Sequence, residues 1–312
     1  MAYIIVVDGG GSKTKGRSYN LSGRMIRESI EGFSNPMVDL ELSVDHIVKV
    51  LKQLTSESPP EAVILGIAGS AHPSVHTLLE NRIQLQIRSF LKAVQIILVD
   101  DLTLSYYAVF RGRDGVLGLL GTGSALLTRV EDEWLRLGGY GHILGDEGSG
   151  YVLAVETVKE AIHRAYKGDY TLSDRIVEYF GLETLEDIKA IVYRSPKTKL
   201  ASLSKKVFEW EADEALTPII ENQIEAFSTL VMTLLRRVYS TGTGVSGNVF
   251  KADKVQLSLI GGMVQNNSLY FKRIEARIQT LIGLDAELNM ICPEVDACEG
   301  GLHLYNEYIW RI

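Results

Sequence analysis

The chain has 312 residues, more than a single hydrophobic core usually supports, so two domains are expected. Its composition, 46% apolar and 23% charged, is that of an ordinary folded protein and excludes extensive disorder. A net charge of -7 argues against a nucleic-acid or anionic-membrane surface, and no apolar run approaches the roughly 20 residues needed to cross a bilayer.

Residues 3 to 7 read as a buried strand. After a glycine turn, Thr14 to Asn20 and Met25 to Ile30 read as two more strands around a Leu21 to Arg24 turn. Helical spacing from Asp39 to Leu54, a strand at Ala62 to Ile67, a helix over Val75 to Phe90 and a strand at Val94 to Val99 follow. This βββαβαβα order implies a mixed sheet with helices packed on it. The order restarts near Gly115, with strands at Val116 to Leu120, Ala125 to Val130 and Trp134 to Leu137. A helical region then runs from about Tyr151 to Tyr239, broken at Gly168, Gly181 and Ser195-Pro196. Strand Val255 to Ile260, helix Leu269 to Leu281, strand Glu287 to Ile291 and a closing helix from about Ala297 complete the chain. Thr241 to Asn248, rich in Gly, Ser and Thr, is expected to be a mobile loop.

The N-terminus lacks the basic start and long apolar stretch of a signal peptide, and the two cysteines, Cys292 and Cys298, are too few for a disulfide scaffold. Both features point to the cytoplasm and to buried thiols.

Five segments carry chemistry. Asp8-Gly9-Gly10-Gly11-Ser12-Lys13-Thr14 follows a buried strand; glycines of positive φ would expose N–H groups to a phosphate, and Asp8 would hold Mg²⁺ through water. A Walker A loop is excluded, since Ser12 rather than Gly precedes Lys13 and a strand follows. Leu120-Gly121-Thr122-Gly123-Ser124 repeats the arrangement about 110 residues later, with hydroxyls as added donors. Each turn alone also fits a plain hairpin; their recurrence favours a clamp. In Val99-Asp100-Asp101-Leu102-Thr103, one Asp suffices to cap a helix, and the other is available to accept a proton from an attacking hydroxyl. Gly138 to Gly150 holds six glycines in thirteen residues, a density suited to close approach to a small polar ligand, whereas His142 reads as a hydrogen-bonded loop residue. Gly261-Gly262 would let adenine lie against backbone, or serve only as a tight turn. The fingerprint-like Gly242-Thr243-Gly244-Val245-Ser246-Gly247 is rejected because it follows a helix and does not lead into one.

Taken in order, these segments with Ser34-Asn35 resemble the sugar-kinase branch of the actin-like ATPase superfamily. The similarity is greatest to the N-acetylglucosamine kinase group found among BadF/BcrA-type ATPases. The resemblance spans nearly the whole chain, and Gly138 to Gly150 is its most specific part. It implies an α/β protein of two actin-like (ribonuclease H-like) domains with an interdomain cleft. The first would cover 1–114, with a helix at about 299–312 returning to it; the second would cover 115–298 and carry the helical insertion. ATP contacts are implied for Gly10, Gly11, Ser12, Thr14, Thr122, Gly123, Gly261 and Gly262, and the catalytic base for Asp101. Asn35, Ser124, Gly139, Tyr140 and Asp146 fall on amino-sugar positions. Tyr140 stands where these kinases often carry Trp, which leaves a smaller stacking face.

The implied reaction is transfer of the γ-phosphoryl of Mg-ATP to a sugar hydroxyl, by analogy the 6-hydroxyl, without a covalent intermediate. N-acetylglucosamine, glucosamine, N-acetylmuramic acid and N-acetylmannosamine all remain candidates, and oligomeric state stays open, a homodimer being compatible. The cysteine-rich zinc loop of the neighbouring ROK kinases is missing, so no structural zinc is expected. The alternative of an ATP-driven activator, an electron-transfer component of a CoA-linked reductase or dehydratase, would need paired cluster cysteines after the second glycine turn, where this sequence has none. An ATP-switched scaffold would leave the sugar-side residues unexplained.

Overall fold

The computed structural model describes residues 2–92, 94–130, 132–239, 254–283 and 286–310. The chain divides into two compact units, Met1–Asp114 with Val295–Ile312, and Gly115–Glu294. The return to the first unit begins at Val295, earlier than the expected position near 299, because Asp296 forms ion pairs with Lys15 and Arg17 of the first hairpin.

In the first unit, β1 (Tyr3–Gly9), β2 (Thr14–Asn20) and β3 (Met25–Glu31) form an antiparallel meander. Then come α1 (Leu40–Leu54), β4 (Ala62–Ile67), α2 (Pro73–Ile87), β5 (Gln95–Val99) and α3 (Asp101–Phe110). The sheet order is β3-β2-β1-β4-β5, with β1, β4 and β5 parallel. The continuous apolar run of β1 reflects burial on both faces. Ile5 and Val7 join the cluster made with α1 and α2, whereas Ile4 and Val6 join one made with α3 and α12 (Ala297–Trp310).

The second unit repeats this plan. Its meander is β6 (Val116–Leu120), β7 (Ser124–Val130) and β8 (Glu133–Gly138); β9 (Lys254–Ile260) and β10 (Glu287–Ile291) supply the parallel strands, in the order β10-β9-β6-β7-β8. Numbered within their own units, the two sheets have the same strand order and the same strand directions. The inserted helices are α4 (Gly150–Tyr166), α5 (Thr171–Phe180), α6 (Ile188–Arg194), α7 (Lys197–Ala201), α8 (Ser204–Glu209) and α9 (Leu216–Tyr239). Gly181 ends α5 in the left-handed conformation, and Pro196 separates α6 from α7. α10 (Gly262–Gln265) follows β9, and α11 (Ser268–Ile282) packs on α9, extending one large core under the sheet. The loop expected at Thr241 to Asn248, with the rejected fingerprint inside it, lies outside the described residues. No helix among the described residues is long and apolar enough to cross a membrane.

Candidate active site

In each unit the parallel strands end together, and that edge collects the polar segments singled out above. In the first unit, β1 ends in the Gly9 to Lys13 turn, β4 in Gly69-Ser70 and β5 in Asp100-Asp101. Backbone bonds stitch these segments to one another. Gly10 donates to the Lys13 carbonyl at 3.0 Å, Ser34 donates to that of Gly10 at 3.0 Å, and Ala68 donates to that of Gly9 at 2.7 Å. The Ser70 hydroxyl donates to the Val99 carbonyl at 3.2 Å.

None of Gly9, Gly10 and Gly11 has positive φ, so the expected conformational reason for this glycine run is corrected. What the glycines supply is room. A Cβ on Gly9 would lie 2.2 Å from the Ser34 hydroxyl, and one on Gly11 would meet nothing within 4 Å, leaving an open backbone face. The Ser34 hydroxyl itself is fully buried and has no hydrogen-bond partner among the described residues, an unusual state for a polar group. Ser12 is exposed on the same turn. Thr14 is not: it is fully buried and its hydroxyl donates to the Gly32 carbonyl at 2.6 Å, a brace between β2 and the loop after β3.

Asp8 is half-buried, paired with Lys15 across the hairpin. Its pKa is pushed up to about 6, first by desolvation and then by the Asp296 charge, against the opposing pull of Lys15 and Lys13. Asp296, which the sequence reading missed, pairs with Lys15 and, at 2.9 Å, with Arg17, and these cations hold its carboxyl below the usual range despite burial. Nothing in its local sequence marks it, because its partners lie some 280 residues earlier. The cysteines are both free, Cys298 buried and Cys292 only half-buried.

The two acids at the start of α3 separate cleanly. Asp100 is the N-cap, its Oδ1 accepting from the Leu102 and Thr103 N–H groups at 3.1 Å and its Oδ2 from the Thr103 hydroxyl at 2.7 Å. Asp101 is the first helical residue. Asn35 turns its Oδ1 to the Met37 N–H at 3.0 Å and lies against Gly69, whose φ of 80° and missing Cβ make that approach feasible.

In the second unit, β6 ends in Gly121-Thr122 and β9 in Gly261-Gly262, and the two turns touch. A Cβ on Gly261, at φ 107°, would lie 2.6 Å from the Leu120 carbonyl oxygen. Gly150, first residue of α4, donates to the Gly121 carbonyl at 2.8 Å, which brings the positive end of a long helix to the turn.

The structure also brings Ser124, Gly139 and Asp146 together. Ser124 N–H donates to Asp146 Oδ1 at 3.1 Å, and Gly139 N–H donates to the Ser124 carbonyl at 3.0 Å. Asp146 has φ 66° and its carboxylate lies directly over Gly123, where a Cβ would be 2.9 Å from both oxygens. Ser124 is buried and its hydroxyl donates to the Glu147 carbonyl at 2.7 Å, so its polar groups lock the glycine-rich loop onto β7. Tyr140 is 78% exposed. His142 packs edge-on against Tyr151, ring centroids 4.6 Å apart, as a structural histidine would. Gly148 is pinned from below, its N–H donating to Gln223 at 3.0 Å and its carbonyl accepting from the Tyr270 hydroxyl at 2.9 Å.

Above the turns lies a cavity of about 660 Å³. Gly121, Thr122, Gly150 and Gly262 form its floor, and Thr198, Ala201, Ser202, Ser204, Lys205, Phe208 and Glu209 of α7, α8 and the link between them form a wall. Met263, Asn266 and Asn267 complete the lining. That volume suits a nucleotide-sized ligand. The wall was missed at the sequence level; its only local mark is a pair of small residues, Ala201 and Ser204, one helical turn apart against Gly150.

No protein-family model matches the chain. It is 32% identical over 221 residues to an N-acetylmuramic acid/N-acetylglucosamine kinase of Clostridium acetobutylicum, covering 66% of this chain and 70% of that one. It is 23% identical over 202 residues to a glucosamine kinase of Vibrio cholerae, covering 62% and 65%. Among solved structures, a proposed N-acetylglucosamine kinase of Porphyromonas gingivalis superposes with a TM-score of 0.72 at 20% identity, over 98% of this chain and 99% of the other. A ROK family glucokinase of Streptomyces griseus, solved with glucose and AMPPNP, gives 0.61 at 15% identity over 97% and 99%. These likenesses identify the fold as that of the actin-like and ROK sugar kinases.

Proposed function

The chain belongs to the BadF/BadG/BcrA-type family of amino-sugar kinases, and on that premise we propose that it transfers the γ-phosphoryl group of ATP to the 6-hydroxyl of N-acetylglucosamine or a close relative such as N-acetylmuramic acid or glucosamine. The observation that carries this reading is the cavity floored by two glycine turns and a helix N-terminus, the chemistry a polyphosphate requires. Gly10, Gly11 and Ser12 offer a second open turn in the other actin-like unit.

Magnesium fits Asp8. A half-buried carboxylate whose ionised form is short of solvation gains from a cation, and Mg²⁺ needs only one or two such ligands beside phosphate and water. Bound there, it would neutralise phosphate charge. The remaining work belongs to the chain's own groups. Backbone N–H groups of the turns and the positive end of α4 hold the phosphates, and Asn35, Gly139 and Asp146 orient the sugar. Asp101 accepts the proton that the acceptor hydroxyl releases as its oxygen bonds to phosphorus. Asp100 caps the helix, and Asp101 is the base that the family resemblance implies.

The test is an ADP-release assay over N-acetylglucosamine, N-acetylmuramic acid, glucosamine, N-acetylmannosamine and glucose, with the product mass confirming phosphate addition. Asp101→Asn should retain ATP binding and lose transfer by about 10³-fold, the scale of general base catalysis. Near-normal turnover in that variant would remove Asp101 from the role.

A further inference from the structure

Asp8 and Lys15 stand directly opposite each other on β1 and β2, so their side chains share one face of the sheet. It is the face on which Val6 and Tyr19 meet Cys298 and Leu304 of α12. Side chains so placed start about 5 Å apart at Cβ, within reach of an ion pair. Among the described residues, however, Asp8 forms no salt bridge, and the Lys15 ammonium pairs with Asp296.

Asp296 is itself held from three directions. Its Oδ1 accepts from the Cys298 N–H at 3.0 Å, where α12 begins, and its Oδ2 accepts from Lys15 and, at 2.9 Å, pairs with Arg17. Arg17 is in turn anchored by Nε, which donates to Glu28 at 2.6 Å. The Lys15 and Asp296 side chains are each 17% exposed and Arg17 is 18% exposed, so water screens these charges poorly and an unpaired ammonium there would be costly. Two carboxylates therefore compete for Lys15, and the one that wins it gives up the oxygen a metal ion would take.

We propose that Asp296 is a positioning residue for phosphoryl transfer: it draws Lys15 away from Asp8 and so keeps the Asp8 carboxylate open to magnesium. This inference rests on the magnesium role proposed for Asp8 and is independent of which sugar is the acceptor.

The test is calorimetric binding of ADP, with and without Mg²⁺, at pH 8, above the range in which Asp8 titrates. The proteins are the wild type, Asp8→Asn, Lys15→Met, Asp296→Asn and the combined Lys15→Met, Asp296→Asn. An amide at 296 retains an acceptor for the Cys298 N–H, so the start of α12 keeps its bond. Magnesium should tighten ADP binding to the wild type, and Asp8→Asn should remove that effect. Asp296→Asn should weaken Mg-ADP binding about 10-fold, within the range of coupling inside one salt-bridge network, and leave metal-free ADP binding unchanged. Its turnover should need more Mg²⁺ for half-maximal rate, with kcat at saturating Mg²⁺ close to the wild type. Lys15→Met should restore Mg-ADP affinity in the Asp296→Asn background and have little effect in the otherwise native chain.

Unchanged Mg-ADP affinity in Asp296→Asn, beside an Asp8→Asn that has lost the magnesium effect, overturns this inference alone. An equal improvement from Lys15→Met in both backgrounds overturns it as well, since that is charge acting through space and not an ammonium released onto Asp8. Equal losses with and without Mg²⁺, or a protein too unstable to bind metal-free ADP, make Asp296 a residue of the fold and overturn it too. If magnesium adds nothing to ADP binding by the wild type, the magnesium role of Asp8 and this inference fall together.

Discussion

Asp8 shows how one residue couples stability to function. Its pKa rises from 3.8 to about 6 because burial disfavours the charge and Asp296 adds to the effect. Between those values the folded chain keeps a proton that the unfolded chain has lost, so stability of the ligand-free protein falls as pH climbs from about 4 to about 6 and stays low above it. The penalty at neutral pH is about 1 to 3 kcal/mol for a group that is only half-buried. Asp8→Asn should therefore raise the melting temperature at pH 7.5 and not at pH 4, while Mg-ATP should stabilise the wild type far more than the variant. Identical melting curves at pH 7.5 would contradict a carboxylate held ionised against its surroundings. On the proposed magnesium role of Asp8, transfer should increase with pH through about 6 at limiting Mg-ATP.

Among the elements, α3 carries the sharpest distinction. Two adjacent aspartates open it, and the sequence could not say which one caps, because either spacing satisfies the rule for an N-terminal acceptor. Tertiary placement assigns the cap to Asp100 through three hydrogen bonds. Asp100→Ala should cost about 1 to 2 kcal/mol in chemical denaturation, whereas Asp101→Asn should cost less stability and far more activity. The reverse pattern would exchange the two roles. The α7–α8 wall shows the opposite limit of sequence reading. Short helices of mixed composition have no diagnostic period, and only packing against Gly150 and Met263 turns them toward the cavity.

For the whole molecule, the two units differ in how the chain builds them. Gly115–Glu294 is continuous and has its own large core, whereas the first unit is completed only by Val295–Ile312. α12 contributes Cys298, Leu304 and Tyr305 to the cluster beneath β1 and packs along α3, where Gly300 sits so close that a Cβ would be 2.2 Å from the Leu104 carbonyl oxygen. Truncation after Glu294 should unfold the first unit and spare the second. Limited proteolysis would then leave a protected fragment of about residues 115 to 294, one that still binds nucleotide by calorimetry. Equal susceptibility of both units would argue that the second does not stand alone.

Strand order within each meander, the buried character of β1 and β4, the helix breaks at Gly168, Gly181 and Pro196, and the glycine turns were all legible in the sequence. They arise from local rules: apolar periodicity, turn chemistry and backbone freedom act over a few residues. Other features belong to tertiary structure alone. Asp296 meets Lys15 and Arg17 across the whole chain, Thr14 is spent on Gly32, Asp146 lies over Gly123, and α8 faces the cavity. The physical reason is that a side chain's role depends on what shares its few ångströms of space, and for these residues the neighbours come from distant sequence.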